Sequence, residues 1–463
     1  MGFADLREFI TALEKAGELC RVSKQVSPQY ELAAVTQRTL AEQGPVLLFE
    51  NVEGSDIPLL TNPFTSRRRV AFSLGCEERD LLQHWVRCLD NQIPPVIVPT
   101  GPCKDVHVAE PDLTRFPVPI TWHEGDGGPF ITFAQFITKD PDTGARNVGI
   151  YRLEVKDPRR IGASIAMTHH GAINHRKWEL LGRDCDFALA IGTEPASYLA
   201  TQATYGHGED EYALAGALRG APLELVRCET VDIEVPAHAE IVIEGRILAN
   251  VREEEGPFGE WTGYMSGRAP RPVAEVSYMT HRADPIYNVT YEGYGIYGPT
   301  TIMQGVAREP EWFRAIRAQT CPMIKDLHLT IGGCAGFIAI ASIGNAPAGL
   351  GKNVLMDMLR ETGVKIAIVV DDDIDIRNMD MVQWAMAMRM QPAEDVFVIP
   401  RAANNRLDPS QPEFPSGLGS KIGIDATWST KNLAPQTLAG VPADVTESVG
   451  KAWDTYGIPT SRG

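Results

Sequence analysis

Several features are missing from this sequence, and each absence excludes something. The eight cysteines (Cys20, Cys76, Cys88, Cys103, Cys185, Cys228, Cys321 and Cys334) stand singly, with no C-x-x-C pair and no Cys/His spacing of a zinc ribbon. That pattern argues against a disulfide scaffold and suits a reduced, cytoplasmic setting. The N-terminus has no basic stretch followed by an apolar core, and Leu6 stands where a myristoylation signal needs Ser or Thr, so neither export nor lipidation is expected. The most apolar run, from Cys334 to Ile343, is about half the length that spans a bilayer, so no membrane partner is expected. Basic residues are in deficit, 43 against 60 acidic, and the net charge of -17 would repel a phosphate backbone, which speaks against nucleic acid as a partner. Internal repeats and low-complexity tracts are absent as well.

What is present is an ordinary globular composition, 44% apolar and 22% charged over 463 residues, enough for about three domains at roughly 150 residues each. Leu6, Phe9, Ile10 and Leu13 fall at helical spacing after Asp5, a capping residue, and before Gly17. A buried strand is expected at 46–49 and a helix at 80–89, giving an α/β unit over residues 1–105 that ends near the proline-rich segment 94–99. Residues 106–305 change to short β-like runs between Gly, Pro and Asp, for example 130–133, 149–155 and 241–248, which reads as a barrel-like domain. Residues 306–463 alternate strand and helix again (337–340, 353–361, 366–370, 381–390, 396–399), a second α/β unit. Met381, Met386, Met388 and Met390 are read as core packing of one of its helices.

Four segments could carry chemistry. The glycine-rich 344–353 follows a strand, but Ala346 and Asn353 occupy positions where a P-loop needs Gly and Ser or Thr. Asp371, Asp372 and Asp373 close a strand without the later ligands of a calcium loop, and read as a solvated strand end. His169, His170 and His175 form the only histidine cluster, at spacings that do not make H-E-x-x-H; one functional histidine and none are equally compatible with the spacing. The most informative segment is Glu255-Gly256-Pro257-Phe258-Gly259-Glu260. Glycine and proline reverse the chain there, so two carboxylates five residues apart can converge; one would then hold a proton near neutral pH and the other pair with an arginine. From spacing alone, such an acid pair and a merely acidic solvated turn, with Glu253 and Glu254 next door, account for the segment equally well.

Five blocks in register then resemble the motifs of the UbiD family of prenylated-FMN-dependent decarboxylases: 147–152 (Asn-Val-Gly-Ile-Tyr-Arg), 167–172 (Met-Thr-His-His-Gly-Ala), 211–216 (Glu-Tyr-Ala-Leu-Ala-Gly), 235–245 and 255–260. The opening helix, the 370–374 strand end and 416–421 extend the resemblance over nearly the whole chain. It implies a catalytic triad of Arg152, Glu255 and Glu260, with Glu260 as proton donor. It implies divalent-metal ligands Asn147, His169 and Glu211, the last in preference to Glu209, and a cofactor-contacting set of Asn147, Gly149, Ile150, Arg152, Thr168, His169 and Glu211. Lys365, in preference to Arg360, is the basic residue placed near the phosphate; Trp261, Thr168 and 291–297 are substrate-facing. The cofactors implied are prenylated FMN (prFMN), Mn2+ or Mg2+, and K+.

The fold implied is an N-terminal α/β domain, a central split β-barrel that holds the flavin, and a C-terminal α/β domain with a helical tail used for oligomerisation as a homodimer or homohexamer. The reaction implied is reversible non-oxidative decarboxylation of an aromatic, heteroaromatic or α,β-unsaturated carboxylic acid, through a covalent cofactor–substrate adduct, with a flavin prenyltransferase supplying the cofactor. Loss of CO2 from an sp2 carbon leaves an anion orthogonal to the π system, so an electron sink beyond side chains is required. Two alternatives accompany this reading: the ubiquinone-pathway decarboxylation of 4-hydroxy-3-polyprenylbenzoate, and a flavin-binding oxidoreductase on the same barrel.

Overall fold

Asp5 accepts the Glu8 amide at 2.9 Å and so starts the helix Leu6–Lys15, which buries Leu6, Phe9, Ile10 and Leu13, the face its periodicity predicts. In this computed structural model, which describes residues 2–204, 206–294, 297–431 and 438–458, the helix packs beside a four-stranded sheet. The sheet orders Leu19–Val22, Val46–Phe49, Leu59–Thr61 and Tyr287–Val289. Its last strand comes from far along the chain, and pairs in parallel with Leu59–Thr61.

Among the described residues the central sheet has nine strands, all paired antiparallel, and it curls as a half-barrel within a mixed α/β fold. The curl follows from connectivity. Arg146–Ile150 forms one margin, and Leu153–Asp157 lies second from the other, covered only by the two-residue strand Phe130–Ile131. Only Tyr151 and Arg152 join them, and three Cα steps reach at most about 11 Å, so the two margins must approach one another. The sequence reads 149–155 as one strand; the structure breaks it at Tyr151–Arg152, because the chain has to cross this seam. Three helices within this region, His170–Leu180, Pro195–Ala200 and Glu211–Arg219, are missed by a purely β reading.

Beyond the helix Pro299–Gln319, a five-stranded sheet orders Ile324–Leu329, Ile338–Ile343, Ile366–Asp371, Leu418–Ala426 and Val396–Ala403, with its three middle strands parallel. Glu309 ties this region to the N-terminal unit: it accepts from Arg67 at 2.7 Å, His328 at 2.9 Å and the Leu329 amide at 2.9 Å. Despite burial, these partners hold its carboxyl down at about 2.

Two expectations change here. The helix Met379–Arg389 buries only Val382 and Ala385, and leaves Met381 and Met388 at 36% and 60% exposure, so those two methionines are not core. Asp371 is buried rather than solvated: it accepts the Trp428 and Ser429 amides at 2.6 and 3.0 Å and pairs with Arg389 at 2.8 Å. In the glycine-rich segment, Lys352 donates to the Glu394 carbonyl at 2.8 Å, a structural bond.

Candidate active site

The seam residue Arg152 is where the two glutamates of the 255–260 turn meet. Its Nε and Nη2 donate to the two oxygens of Glu255, both at 2.8 Å, a bidentate fork on a carboxylate with no exposed surface. Nη1 reaches Ser266 Oγ at 2.6 Å and also donates to Glu260. The guanidinium stacks over Phe258, 5.5 Å from its centroid. One arginine therefore faces both acids. Burial raises the Glu260 carboxyl above its ordinary range; Arg152 opposes this and the like charge of Glu255 reinforces it.

The turn is built to hold that geometry. Gly256 has φ +84°, a left-handed conformation that side chains strain, and a Cβ on Gly127 would lie 2.3 Å from the Gly256 carbonyl. Glu154 accepts the Gly256 amide at 2.7 Å, Ser266 donates to the Phe258 carbonyl at 3.1 Å, and the Glu260 amide donates to the Tyr264 carbonyl at 3.0 Å. Asp126 accepts the Gly259 amide at 3.3 Å and also contacts His123, whose other ring nitrogen meets the Glu292 carbonyl. Trp261, next to Glu260, stacks on Phe337 with centroids 5.8 Å apart.

Ser266, His123 and Arg308 carry no motif of their own, and reading the sequence assigns none of them a site role; Glu292 falls within the segment 291–297 read as substrate-facing, with no role of its own. Glu292 is buried; its Oε1 accepts from Thr300 at 2.5 Å and Thr290 at 3.2 Å, while Oε2 has no partner. Burial, with Glu260 adding like charge, pushes it up to about 7. Removing this charge should lower the Glu260 carboxyl toward its ordinary range. We therefore expect Glu292→Gln to move the alkaline limb of any rate profile governed by Glu260 to lower pH, measured as log(kcat/KM) against pH; an unmoved limb would uncouple the two carboxyls.

On the other side of Arg152 the strand Arg146–Ile150 presents Asn147, and its next amide, Val148, donates to Glu211 at 3.0 Å. Glu211 opens the helix Glu211–Arg219, capped by Asp210, which Arg146 holds at 3.0 Å. Burial pushes the Glu211 carboxyl up to about 8. Asn147 Nδ2 is buried without a partner. A Cβ on Gly171 would sit 3.5 Å from it and 3.0 Å from the Tyr151 hydroxyl, and one on Gly149 would sit 2.6 Å from that hydroxyl, so both glycines keep this recess open.

His169 caps the helix His170–Leu180 and stacks on Tyr151 at 5.7 Å. Its ring is exposed, yet the surrounding protein and the charge of Arg308 hold the imidazole below its usual pKa, in the neutral form. The three histidines do not cluster: His170 meets His207 edge-on at 5.3 Å, and His175 lies 3.5 Å from Glu179. Among the described residues no group of three His, Cys, Asp or Glu side chains could hold a metal, so the set here is an amide, an imidazole and a carboxylate. Ile150 is partly covered and Thr168 exposed. Lys365 donates to Asp408 at 3.0 Å and Ser410 at 2.5 Å, so its charge is already partnered. Within 291–297, residues 295 and 296 lie outside the described residues.

Family models described as the N-terminal, Rift-related and C-terminal domains of 3-octaprenyl-4-hydroxybenzoate carboxy-lyase match residues 10–89, 96–295 and 301–426. An uncharacterized protein of Archaeoglobus fulgidus is 37% identical over 452 residues, 92% of each chain. The UbiD-class enzyme HmfF from Pelotomaculum thermopropionicum, solved with FMN, is 40% identical with a TM-score of 0.89 over 97% of this chain and 99% of that one. An evolved dimeric form of it, solved with prFMN, is 38% identical with a TM-score of 0.86 over 96% and 98%. Vanillic acid decarboxylase of Sedimentibacter hydroxybenzoicus, in closed form, is 29% identical with a TM-score of 0.88 over 99% and 100%.

Proposed function

The chain belongs to the UbiD family of carboxy-lyases, and from that premise we propose that it decarboxylates an aromatic, heteroaromatic or α,β-unsaturated acid with bound prenylated FMN, using Arg152, Glu255 and Glu260. The observation that carries the reading is the shared arginine: two glutamates of one turn sit on one enclosed guanidinium, and Glu260 is pushed toward holding a proton.

The residues fit the groups the family implies. Asn147 has a buried amide nitrogen without a partner, a donor free for a phosphate oxygen while its carbonyl could ligate, the neutral imidazole of His169 makes no side-chain hydrogen bond among the described residues, and Glu211 uses one oxygen on Val148; a hard divalent ion, Mn2+ or Mg2+, with K+ beside it, suits this donor set. Gly149, Ile150, Thr168, Gly171 and the first turn of His170–Leu180 would border the flavin phosphate. When bound, prenylated FMN supplies the electron sink that CO2 loss from an sp2 carbon lacks.

The chain's own residues do the rest. Arg152, fixed by the Glu255 fork, orients the substrate carboxylate with its positive charge. Glu260 holds the proton on its carboxyl and delivers it to the carbon that CO2 leaves. The Trp261–Phe337 stack and Phe258 keep water from the reacting carbon, and their flat faces suit a planar acid better than a long prenyl chain.

The parts of the chain divide in our reading at residues 105 and 305, with the flavin held by the middle part. Among the described residues no helix is long and apolar enough to cross a membrane, and we place the protein in the cytoplasm. The terminal helix Ala443–Lys451, which buries no residue within the chain, would join copies into a homodimer or homohexamer.

Co-expression with a flavin prenyltransferase, followed by a panel of benzoic, furoic, pyrrole, indole and cinnamic acids, tests this by CO2 release and deuterium uptake. Consumption of a nicotinamide without CO2 would instead favour the oxidoreductase. His169→Ala should lose flavin and divalent ion together, because the phosphate charge is left uncompensated. Flavin absorbance and elemental analysis read this out, and a fully flavinated variant would remove His169 from the ligand set.

A further inference from the structure

Two glycines of the site stand where no side chain fits, and one ring excludes a side chain from both. A Cβ on Gly259 would lie 2.5 Å from His123 Cε1, and one on Gly293 would lie 2.5 Å from His123 Nε2. Each glycine adjoins an enclosed acid: Glu260 follows Gly259, and Glu292 precedes Gly293. The imidazole of His123 therefore lies between the backbones of two carboxyls whose like charges act on one another.

The ring is held at both nitrogens. Nδ1 lies 3.2 Å from Asp126 Oδ1, and Nε2 meets the Glu292 carbonyl at 2.5 Å. Its edge packs on Phe258 with centroids 5.5 Å apart, and Tyr291 lies against it at 5.2 Å. Asp126, whose side chain has no exposed surface, accepts the Gly259 amide at 3.3 Å and the amides of Trp122 and His123 at 3.2 and 2.8 Å. Beside it the Gly127 amide donates to the Pro257 carbonyl at 2.8 Å. Residues 122–127 thus grip the turn at 257–259, and the ring alone carries that grip across to the Glu292 backbone. A ring engaged at both nitrogens and packed on two aromatic neighbours has no other rotamer to adopt, so it acts as a rigid spacer. The charged and titratable groups facing Glu260 are Arg152, Glu255 and Glu292; those facing His123 are Asp126 and Tyr291.

We propose that His123, anchored by Asp126, is a positioning residue for proton delivery: its ring is the spacer that fixes Glu260 relative to Glu292 and to the carbon that takes the proton. The proposal rests on the reading above, in which Glu260 is the donor. Without the ring the turn loses its tie to the Glu292 backbone, the two like-charged acids move apart, and Glu292 no longer disfavours the ionised form of Glu260.

Infrared titration tests this without turnover. The protonated-carboxyl band of Glu260, isolated in each background by subtracting the matching Glu260→Gln protein, is followed against pH. Native protein, His123→Ala, His123→Gln and Asp126→Asn are compared as purified from co-expression with a flavin prenyltransferase, each with and without Glu292→Gln. His123→Ala should lower the Glu260 midpoint by about one pH unit, and should leave it unmoved in the Glu292→Gln background, where no charge is left to space. Asp126→Asn, which frees the Gly259 amide and the ring together, should follow His123→Ala. His123→Gln, which keeps a nitrogen for the Glu292 carbonyl, should fall between native and alanine, and serves alone if the alanine variant does not fold. On an acid that the native protein decarboxylates, His123→Ala should lower kcat about 10²-fold with KM unchanged within about twofold, the mark of a misplaced donor rather than of lost binding. A midpoint unmoved in His123→Ala, or lowered equally with and without Glu292→Gln, would overturn the spacer in favour of a structural histidine. A raised midpoint would overturn it too, because the ring would then act on Glu260 as a cation. Should the native chain release CO2 from no acid of the panel, the decarboxylase reading falls, and the midpoints still decide whether His123 spaces the two carboxyls.

Discussion

Glu260→Gln is expected to bind flavin and substrate as the native protein does and to turn over about 10²–10⁴-fold more slowly, the usual contribution of a positioned general acid. The amide keeps the shape and an acceptor for Arg152 Nη1, so the fork of Arg152 on Glu255 stays in place. What it lacks is an acidic proton. Stability supplies a second readout. An acid whose folded pKa lies above its unfolded value is stabilised when protonated, so the native protein loses stability as pH rises from the unfolded carboxyl pKa through the raised one, and Gln carries no such penalty. The Tm of Glu260→Gln relative to native should therefore climb with pH across that window. Normal turnover would take Glu260 out of the chemistry; a Tm difference flat in pH would mean that its carboxyl is not raised.

Much of the candidate site was legible because it is local. The 255–260 turn announces itself by Gly and Pro between two acids, and Asp5 followed by a 3.6-residue apolar repeat locates the opening helix with its buried face. The strand at 46–49 was legible from its unbroken apolar run. What was not legible depends on distance along the chain. Glu292 meets the turn only because the sheet curls and His123 clamps its backbone, and the charge of Arg308 reaches His169 from 139 positions further along the chain, with no periodicity to mark either. Two methionines of Met379–Arg389 show the opposite error: apolar composition suggested core, and Met386 does pack against the cluster around Val382 and Ala385, but Met381 and Met388 are exposed. The histidine cluster shows a third. Adjacent residues at a helix start point to different neighbours, so proximity in sequence did not become a shared site.

Arg152→Met should cost the fold about 3–5 kcal/mol, the range for breaking a buried ion pair by removing one partner, because Glu255 has no exposed surface and would keep a charge with no cation to meet it. Denaturant unfolding reads this directly. Adding Glu255→Gln to the same chain should recover most of the loss, since a neutral amide against a thioether leaves no uncompensated charge, and the double variant should be closer in stability to the native protein than either single variant. Activity should not follow stability. Both Arg152→Met chains, with and without Glu255→Gln, should be inactive on any acid the native protein decarboxylates, because the group that orients the leaving carboxylate is gone in each. Recovery of stability without recovery of turnover would separate what Arg152 does for the seam of the half-barrel from what it does for the substrate. If instead the single substitution unfolds the chain no more easily than native, the charge on Glu255 is being met by something other than the fork that faces it.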